Sequence, residues 1–435
     1  MAINDKMRIL IISHNCLSLT NSNGRTLYNF VSSFANDEVA NFYIHDEIPN
    51  LINHNNFYRV TDYEALSAFK RRTPVEGLIS NHKPSQASLL ANRENLHKAN
   101  KNPLTALARE IIWNSGAWKA KSFQKWVDEF NPTHILLQAG DAPFLFRLAR
   151  QIAKKRTIPL IIYNSEDYYF KKYNYMSRKY SFLYPFFHRR LVIEVKKAIK
   201  ESSLCIYISE ALMKHYLSTL PHRADYIMTS SSFSELVKQR SSISKDNIHI
   251  AYLGNINLGR EEPLIEIAVQ LEKRNQKLHV YGMGSEEAIQ KIKQCPAIAY
   301  HGFISYEEVK EVMLKSSLLV HVESFSDYAI KDLRYSFSTK IADSLASRVP
   351  FLVYIPKELS YNEYLRAAIG DFVVNDSQDL EKSLYDFLDG KLEYPGDKAL
   401  EEVIDKNHSL VNNQNKFYNL LASTSCLKGA MDEQK

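Results

Sequence analysis

The chain has 435 residues, a length for two or three domains. Hydrophobic residues make up 45% and charged residues 24%, an ordinary balance for a soluble globular protein. The net charge of +6 is modest, so the placement of charge matters more than its sum.

No apolar run approaches the ~18 residues of a transmembrane helix. Residues 1–8 lead straight into a strand, without the apolar core and cleavage site of a signal peptide. Cys16, Cys205, Cys295 and Cys426 are scattered, without metal-type spacing. Buried thiols in a reducing compartment, the cytoplasm, are expected.

Residues 7–13 form an apolar run suited to a buried parallel strand opening an α/β domain. A polar stretch from His14 to Arg25, containing Asn23 and Gly24, precedes a helix predicted over 26–35. A long polar loop in that place is a favoured binding loop, although a plain surface connection fits it too. Short strands are expected at 42–44 and 57–61. Residues 63–102 are less regular and basic (Lys70, Arg71, Arg72, Lys83, Arg93, Lys98, Lys101). They read as an insertion, part helix and part mobile loop. Helices over 103–113 and 117–130 carry Trp113, Trp118 and Trp126. Tryptophans beside basic residues suit a membrane interface, but for Trp113 and Trp126 a role as core anchors is preferred.

Strands at 134–138 and 159–163 flank a helix over 144–154. Asp141, Glu166 and Asp167 follow those strands, where they either face the cleft, placed to touch a ligand, or cap a helix. Between 170 and 190 the chain carries Lys171, Lys172, Arg178, Lys179, Arg189 and Arg190 and no acidic residue. Tyr173, Tyr175, Tyr180, Phe182, Tyr184, Phe186 and Phe187 are interleaved with them. Basic and aromatic surfaces suit single-stranded nucleic acid or an anionic membrane face. No nucleic-acid-binding module is visible, so the membrane is preferred. The plain alternative is an aromatic core under a solvated charged face. A helix over 191–200, a strand at 204–208, a helix over 210–216 and a strand at 226–228 complete a first domain, 1–235. The polar stretch 229–245, with Ser230, Ser231, Ser232, Ser241, Ser242 and Ser244, is the linker.

From 246 to 400, strands at 248–253, 277–281, 298–300, 318–322, 351–354 and 371–374 alternate with helices over 262–274, 286–294, 306–314, 339–345, 361–368 and 377–388. This alternation implies a parallel sheet with right-handed crossovers, which binds ligands beyond the carboxyl ends of its strands. The loop Gly254-Asn-Ile-Asn-Leu-Gly-Arg260 lies there, with glycines that let backbone approach a ligand and an arginine suited to paired phosphate contacts. Ser338 and Thr339 mark a helix start, whose amides and partial positive charge suit a phosphate. Lys340 adds a full charge. Asp343, expected on the first turn, can accept from sugar hydroxyls. Together they suit a nucleotide diphosphate. A helix is expected over 398–421 and a mobile tail over 423–435.

The succession Tyr252-Leu-Gly254 with Arg260, Val280-Tyr-Gly-Met-Gly284, His301-Gly-Phe-Ile-Ser-Tyr-Glu-Glu308 and Phe337-Ser-Thr-Lys340 with Asp343 and Pro350 resembles the donor half of a GT-B glycosyltransferase. It is most similar to the retaining enzymes of glycosyltransferase family 4 from bacterial surface (capsular and exo-) polysaccharide synthesis. The resemblance spans the chain and is specific in its second half. The family usually carries two glutamates eight positions apart. Here the second falls on Asp343 and the first on Tyr335, while Ser338-Thr-Lys340 resembles a variant with a Ser-Lys pair.

The resemblance implies an α/β protein of the GT-B fold, two Rossmann-like parallel-sheet domains facing across a cleft. Residues 401–435 would supply a helix returning to the first domain and a tail. It implies transfer of a sugar from a nucleotide-diphosphate sugar to a hydroxyl of a lipid-linked saccharide, with retention, at the inner face of the cytoplasmic membrane. Arg260, Lys340 and the amides near Ser338 would stabilise the leaving diphosphate. Gly254, Asn255 and Thr339 line the donor, Phe303 and Ile304 pack on the base, and Asp343 binds the ribose. His14 would touch the donor sugar or acceptor, beside the loop of Asn23 and Gly24. Same-face attack assisted by the phosphate requires no protein nucleophile. No cofactor or metal is expected, since no acidic or histidine cluster has metal spacing, and no nucleic-acid partner. The rivals are an epimerase on the same scaffold, a non-catalytic partner of a glycosyltransferase, for which Tyr335 speaks, and a membrane-bound scaffold.

Overall fold

The computed structural model describes residues 6–19, 21–51, 53–79, 101–231, 233 and 248–432. Lys83, Arg93, Lys98, Ser232, Ser241, Ser242, Ser244, residues 433–435 of the expected tail and the side chain of Cys426 lie outside the described set. The chain divides into two compact units, Met1–Ile227 with Gln414–Lys435, and Met228–Asn413.

The first unit holds an eight-stranded sheet built from β1 (Ile9–Ser13), β2 (Val39–Tyr43), β3 (Phe57–Arg59), β4 (Leu78–Ile79), β5 (His134–Gln138), β6 (Leu160–Asn164), β7 (Leu204–Tyr207) and β8 (Ala224–Tyr226). Their order is β4-β3-β2-β1-β5-β6-β7-β8. Every pair is parallel except β3 with β4, which is antiparallel. β1, β2, β5 and β6 are buried along their whole length, as strands covered on both faces must be. Chain order runs outward from β1 in one direction and from β5 in the other, so the sheet reverses between them.

The structure departs locally from the sequence reading at the first helix and makes that reading specific in two other places. The first helix spans Ser22–Val31, because Asn21 caps it and accepts from the Asn23 and Gly24 amides. Asn23 and Gly24 therefore belong to a helical turn and not to a loop. Residues 62–71 are a regular helix, Asp62–Arg71, begun by a Thr61/Glu64 capping box that the Thr-x-x-Glu spacing announces. Trp113, Trp118 and Trp126 are 3%, 2% and 5% exposed. They pack among Phe42, Tyr58, Phe123 and Phe144, which is core and no interfacial belt.

The second unit holds β9 (Ile250–Leu253), β10 (Leu278–Tyr281), β11 (Ile298–Gly302), β12 (Leu318–Val322), β13 (Phe351–Tyr354) and β14 (Val373–Val374). Their order is β11-β10-β9-β12-β13-β14, parallel throughout. This is the doubly wound arrangement of a Rossmann-type sheet, and its reversal point lies between β9 and β12. A helix over Asp327–Leu333, capped by Ser326, precedes the helix Thr339–Ala346.

The expected helix over 398–421 is two helices, Asp397–Asn407 and Leu410–Asp432, and the second continues through most of the supposed tail. The break falls at His408, which leaves the helical region at φ −126° and ψ −1°. Its buried ring donates from Nδ1 to the Thr229 carbonyl (2.7 Å) and accepts at Nε2 from the Tyr364 hydroxyl (2.7 Å). Thr229, Ser230 and Ser231, expected in a linker, are 3%, 6% and 1% exposed. The Asn413 amide donates to Met228 O and Ser230 Oγ, and Ser231 N donates to the His408 carbonyl.

Candidate active site

In the second unit the loops at the reversal point collect the charged groups singled out above. β9 is followed by Gly254, whose amide donates to the Tyr281 carbonyl (2.8 Å). Asn255 is exposed but turned into its own loop: its carbonyl accepts from the Tyr252 hydroxyl (2.6 Å) and its side-chain oxygen from the Asn257 amide (2.7 Å). Arg260 closes the loop. Its Nε and Nη2 donate to the two carboxylate oxygens of Glu323 at 2.8 and 3.0 Å, and Nη1 donates to the carbonyls of Asn257 and Asn255 at 3.3 and 3.5 Å. The arginine expected to grip phosphate is thus committed to a buried carboxylate at the end of β12. Glu323 was not read from the sequence; its one local signal is an acid directly after a buried strand.

Lys340 differs. Its ammonium stands 5.1 Å from the centre of the Tyr252 ring and forms no hydrogen bond or ion pair among the described residues. Burial, then the charge of Arg260, lowers it from 10.5 to about 8, against the pull of Glu323. A cation partly withdrawn from water without an anion is costly, and this one sits on the first turn of the helix Thr339–Ala346. Ser338 occupies the cap position but its side chain makes no capping bond, contrary to expectation. The amides at this helix start are therefore not satisfied by a side-chain cap.

Asp343 lies on the second helical turn and not the first. It is buried, accepting from Ser231 Oγ at 2.8 Å and from the Tyr306 hydroxyl at 3.5 Å. The structure ties it to the neighbouring segment and to the helix Tyr306–Lys315. Phe303 is 62% exposed and Ile304 partly exposed, in the loop between β11 and that helix.

In the first unit His14 follows β1 and lies against Gly140, which follows β5. A β-carbon at Gly140 would stand 2.4 Å from His14 Nε2, so the glycine makes room for the ring. That nitrogen is buried and lacks a hydrogen-bond partner. Burial drives the imidazole down to about 3, so it is neutral at ordinary pH. Asp141 is not a free acceptor-facing carboxylate. It pairs with Lys101 and accepts from the Tyr175 hydroxyl at 3.3 Å. Burial alone would raise it, but the charge and the hydrogen bond of Lys101 hold it well below the usual carboxylate range.

Burial pushes Asp167 up to about 6; it accepts from the Phe170 amide at 3.1 Å. Glu166 is partly exposed. The capping alternative does not hold for Asp141, since Ala142 occupies the cap position of the next helix. Asn23 is exposed and its amide reaches Asn15 Oδ1 at 3.4 Å, while Gly24 is packed against the Cys16 carbonyl. Glu47, missed in the sequence, knits the stretch after β1 by accepting from Asn15 Nδ2 (2.6 Å), Asn21 Nδ2 (2.9 Å) and the Cys16 amide (3.0 Å). It lies in a short stretch with no periodic pattern.

The run from 170 to 190 separates into two layers. Lys171 is 6% exposed, its ammonium over the rings of Tyr168 and Tyr175, which removes it from the membrane-facing set. Tyr184 and Phe187 are core. Lys172, Arg178, Lys179, Arg189 and Arg190 are exposed and form no ion pair among the described residues. Phe182 and Phe186 are 72% and 63% exposed. Ile193, on the helix Tyr184–Glu201, and Leu104 and Ile111, on the neighbouring helix Pro103–Asn114, are also exposed. Among the described residues no helix is long and apolar enough to cross a membrane, and no group of three or more His, Cys, Asp or Glu is placed to hold a metal ion.

No family model matches the chain, and no curated protein matches its sequence. Solved structures do. HepE of Anabaena, crystallised with UDP, is 12% identical with a TM-score of 0.58, over 96% of this chain and 100% of that one. A UDP-forming α,α-trehalose-phosphate synthase from Burkholderia xenovorans, in complex with glucose-6-phosphate, is 10% identical with a TM-score of 0.59, over 95% and 100%. A glycosyltransferase from Rickettsia africae is 11% identical with a TM-score of 0.56, over 97% and 99%. At this identity the likeness is one of fold. The chain has the GT-B fold, built on two Rossmann-like parallel sheets.

Proposed function

We propose that the protein is a glycosyltransferase that moves a sugar from a nucleotide-diphosphate sugar to a hydroxyl of a lipid-linked saccharide, with retention, in bacterial surface polysaccharide synthesis. The observation that carries the reading is Lys340, an ammonium with no anion, on the first turn of a helix without a side-chain cap, at the reversal point of a Rossmann-type sheet. A diphosphate supplies the missing charge. That the fold is shared with glycosyltransferases, two of the matching crystals containing UDP, supports a nucleotide-sugar donor.

In this reading the bond from the anomeric carbon to the phosphate oxygen breaks, and a bond from the acceptor oxygen forms on the same face. The departing phosphate oxygen takes the acceptor's proton. Lys340 and the helix amides stabilise the charge growing on the diphosphate, an effect worth several kcal/mol. Phe303 and Ile304 offer apolar surface to the base. Neutral His14, with a vacant Nε2, is a partner for a sugar hydroxyl. No metal or cofactor is assigned a part. Attachment to the inner face of the cytoplasmic membrane belongs to the same proposal. Exposed Phe182 and Phe186 beside five unpaired basic groups support it, each such group being worth on the order of 1 kcal/mol near an anionic leaflet.

The test is thermal stability of the purified protein against uridine, guanosine and adenosine diphosphates and their sugars, with Lys340→Ala alongside. A ligand at 100 times its dissociation constant stabilises by about 2.7 kcal/mol. A shift with one nucleotide that the variant lacks supports the donor site. No shift with any of them at millimolar concentration removes the enzyme and leaves a non-catalytic partner.

A further inference from the structure

The two cations of the candidate donor site are unequal, and the difference traces to one residue. A guanidinium offers five N–H groups. In Arg260 the Nε and Nη2 bonds to Glu323 and the Nη1 bonds to the Asn257 and Asn255 carbonyls leave one of them. Glu323 is 3% exposed, at the end of β12, and Arg260 stands at the far end of the loop after β9. Their bidentate pair therefore spans the reversal point of the sheet and ties down the loop that carries Gly254. Lys340, across Gly254, keeps all its donors.

We propose that Glu323 is a positioning residue of the donor site: by holding Arg260 in a two-point ion pair it fixes the β9 loop, withdraws that arginine from the phosphates and leaves Lys340 as the cation that meets the donor diphosphate. The inference rests on the donor-site reading above.

The groups facing Lys340 are Arg260, Glu323, the Tyr252 ring and the buried neutral imidazole of His321. Arg260 makes its proton harder to keep and Glu323 easier. Diphosphate binding then weakens as pH rises through about 8, the value to which burial and Arg260 bring Lys340. Neutralising Glu323 moves that alkaline limb down, and neutralising Arg260 moves it up. A pair that served only as a structural brace would lower affinity equally at every pH.

The experiment is calorimetric titration of the full chain with UDP and with inorganic pyrophosphate from pH 6 to 9.5. For Glu323→Gln the expected result is a limb displaced to lower pH by about one unit, with Glu323→Asp restoring most of it. If Glu323→Gln does not fold, Arg260→Gln reads the same coupling with the opposite sign, a limb displaced upward and no more than a tenfold loss of affinity at pH 7. A limb unmoved in the variants overturns the inference, as does a hundredfold loss in Arg260→Gln, which would make the arginine itself a phosphate ligand. A wild-type protein that binds neither probe fails at the earlier step: it removes the donor site, and Glu323 with it.

Discussion

A β-carbon on Gly254 would stand 1.9 Å from the ammonium nitrogen of Lys340 and 3.0 Å from its ε-carbon. The lysine side chain crosses the face of the glycine to reach the ring of Tyr252, and only a residue without a side chain leaves it that path.

Gly254→Ala is therefore expected to displace Lys340, since the colliding atom is the tip of a flexible side chain, at some backbone strain from φ +158°. Affinity for UDP should fall by about tenfold, equivalent to 1.4 kcal/mol, with the far-ultraviolet dichroism unchanged. Calorimetric titration of both proteins checks this, and equal affinities would place the diphosphate elsewhere.

The ligand-free protein should become more stable when Lys340 is removed. Its folded pKa of about 8 lies below the ordinary lysine value of 10.5, so folding strains the charged form. The penalty is complete below pH 8, fades as pH rises from 8 to 10.5, and is absent above. From 1.36 kcal/mol per pKa unit it amounts to on the order of 3 kcal/mol. Lys340→Met should raise the melting temperature near neutral pH and abolish stabilisation by nucleotide. A variant less stable than wild type would mean that the ammonium has a partner in solution.

Acid should unfold the protein partly through its buried histidines. Burial lowers His408 to about 4 and His14 to about 3, from 6.5. Both stay neutral in the fold, so the stability they lend is whole above pH 6.5 and is lost progressively as pH falls from 6.5 toward those values. Urea denaturation between pH 7 and 4 should show a falling midpoint. Its slope should lessen in His408→Gln, which titrates nothing while keeping a donor and an acceptor.

Vesicles offer a test of the exposed aromatic pair. Phe182→Ser with Phe186→Ser should weaken binding to vesicles rich in anionic lipid at least tenfold and leave nucleotide binding unaltered. The tryptophans of the wild-type protein, all in the core, should show no spectral shift when vesicles are added. Equal sedimentation of wild type and variant would exclude this face.

How much of this was legible beforehand depends on the range of the interaction. Apolar runs located β1, β5, β9, β12 and β13 to within a residue or two, since a strand buried on both faces must be apolar whatever surrounds it. The alternation with helices implied the parallel sheets that the structure shows. The helix starts at Glu286 and Tyr306 were equally local, each following a serine that caps it.

What only the tertiary structure decided is the partner of each charge. Arg260 meets Glu323 across 63 positions, and Asp343 meets Ser231 across 112. Both pairs arise because the sheet places β9 next to β12 and a chain crossover next to a helix, which no periodicity encodes. Lys171 went inside while its neighbours stayed out, because Tyr168 and Tyr175 offer it ring faces in place of water. Sequence alone established that cations gather at the end of a parallel sheet. Which of them is left for a ligand followed from the pairing, because an ion pair depends on distance in space and the local pattern records only distance along the chain.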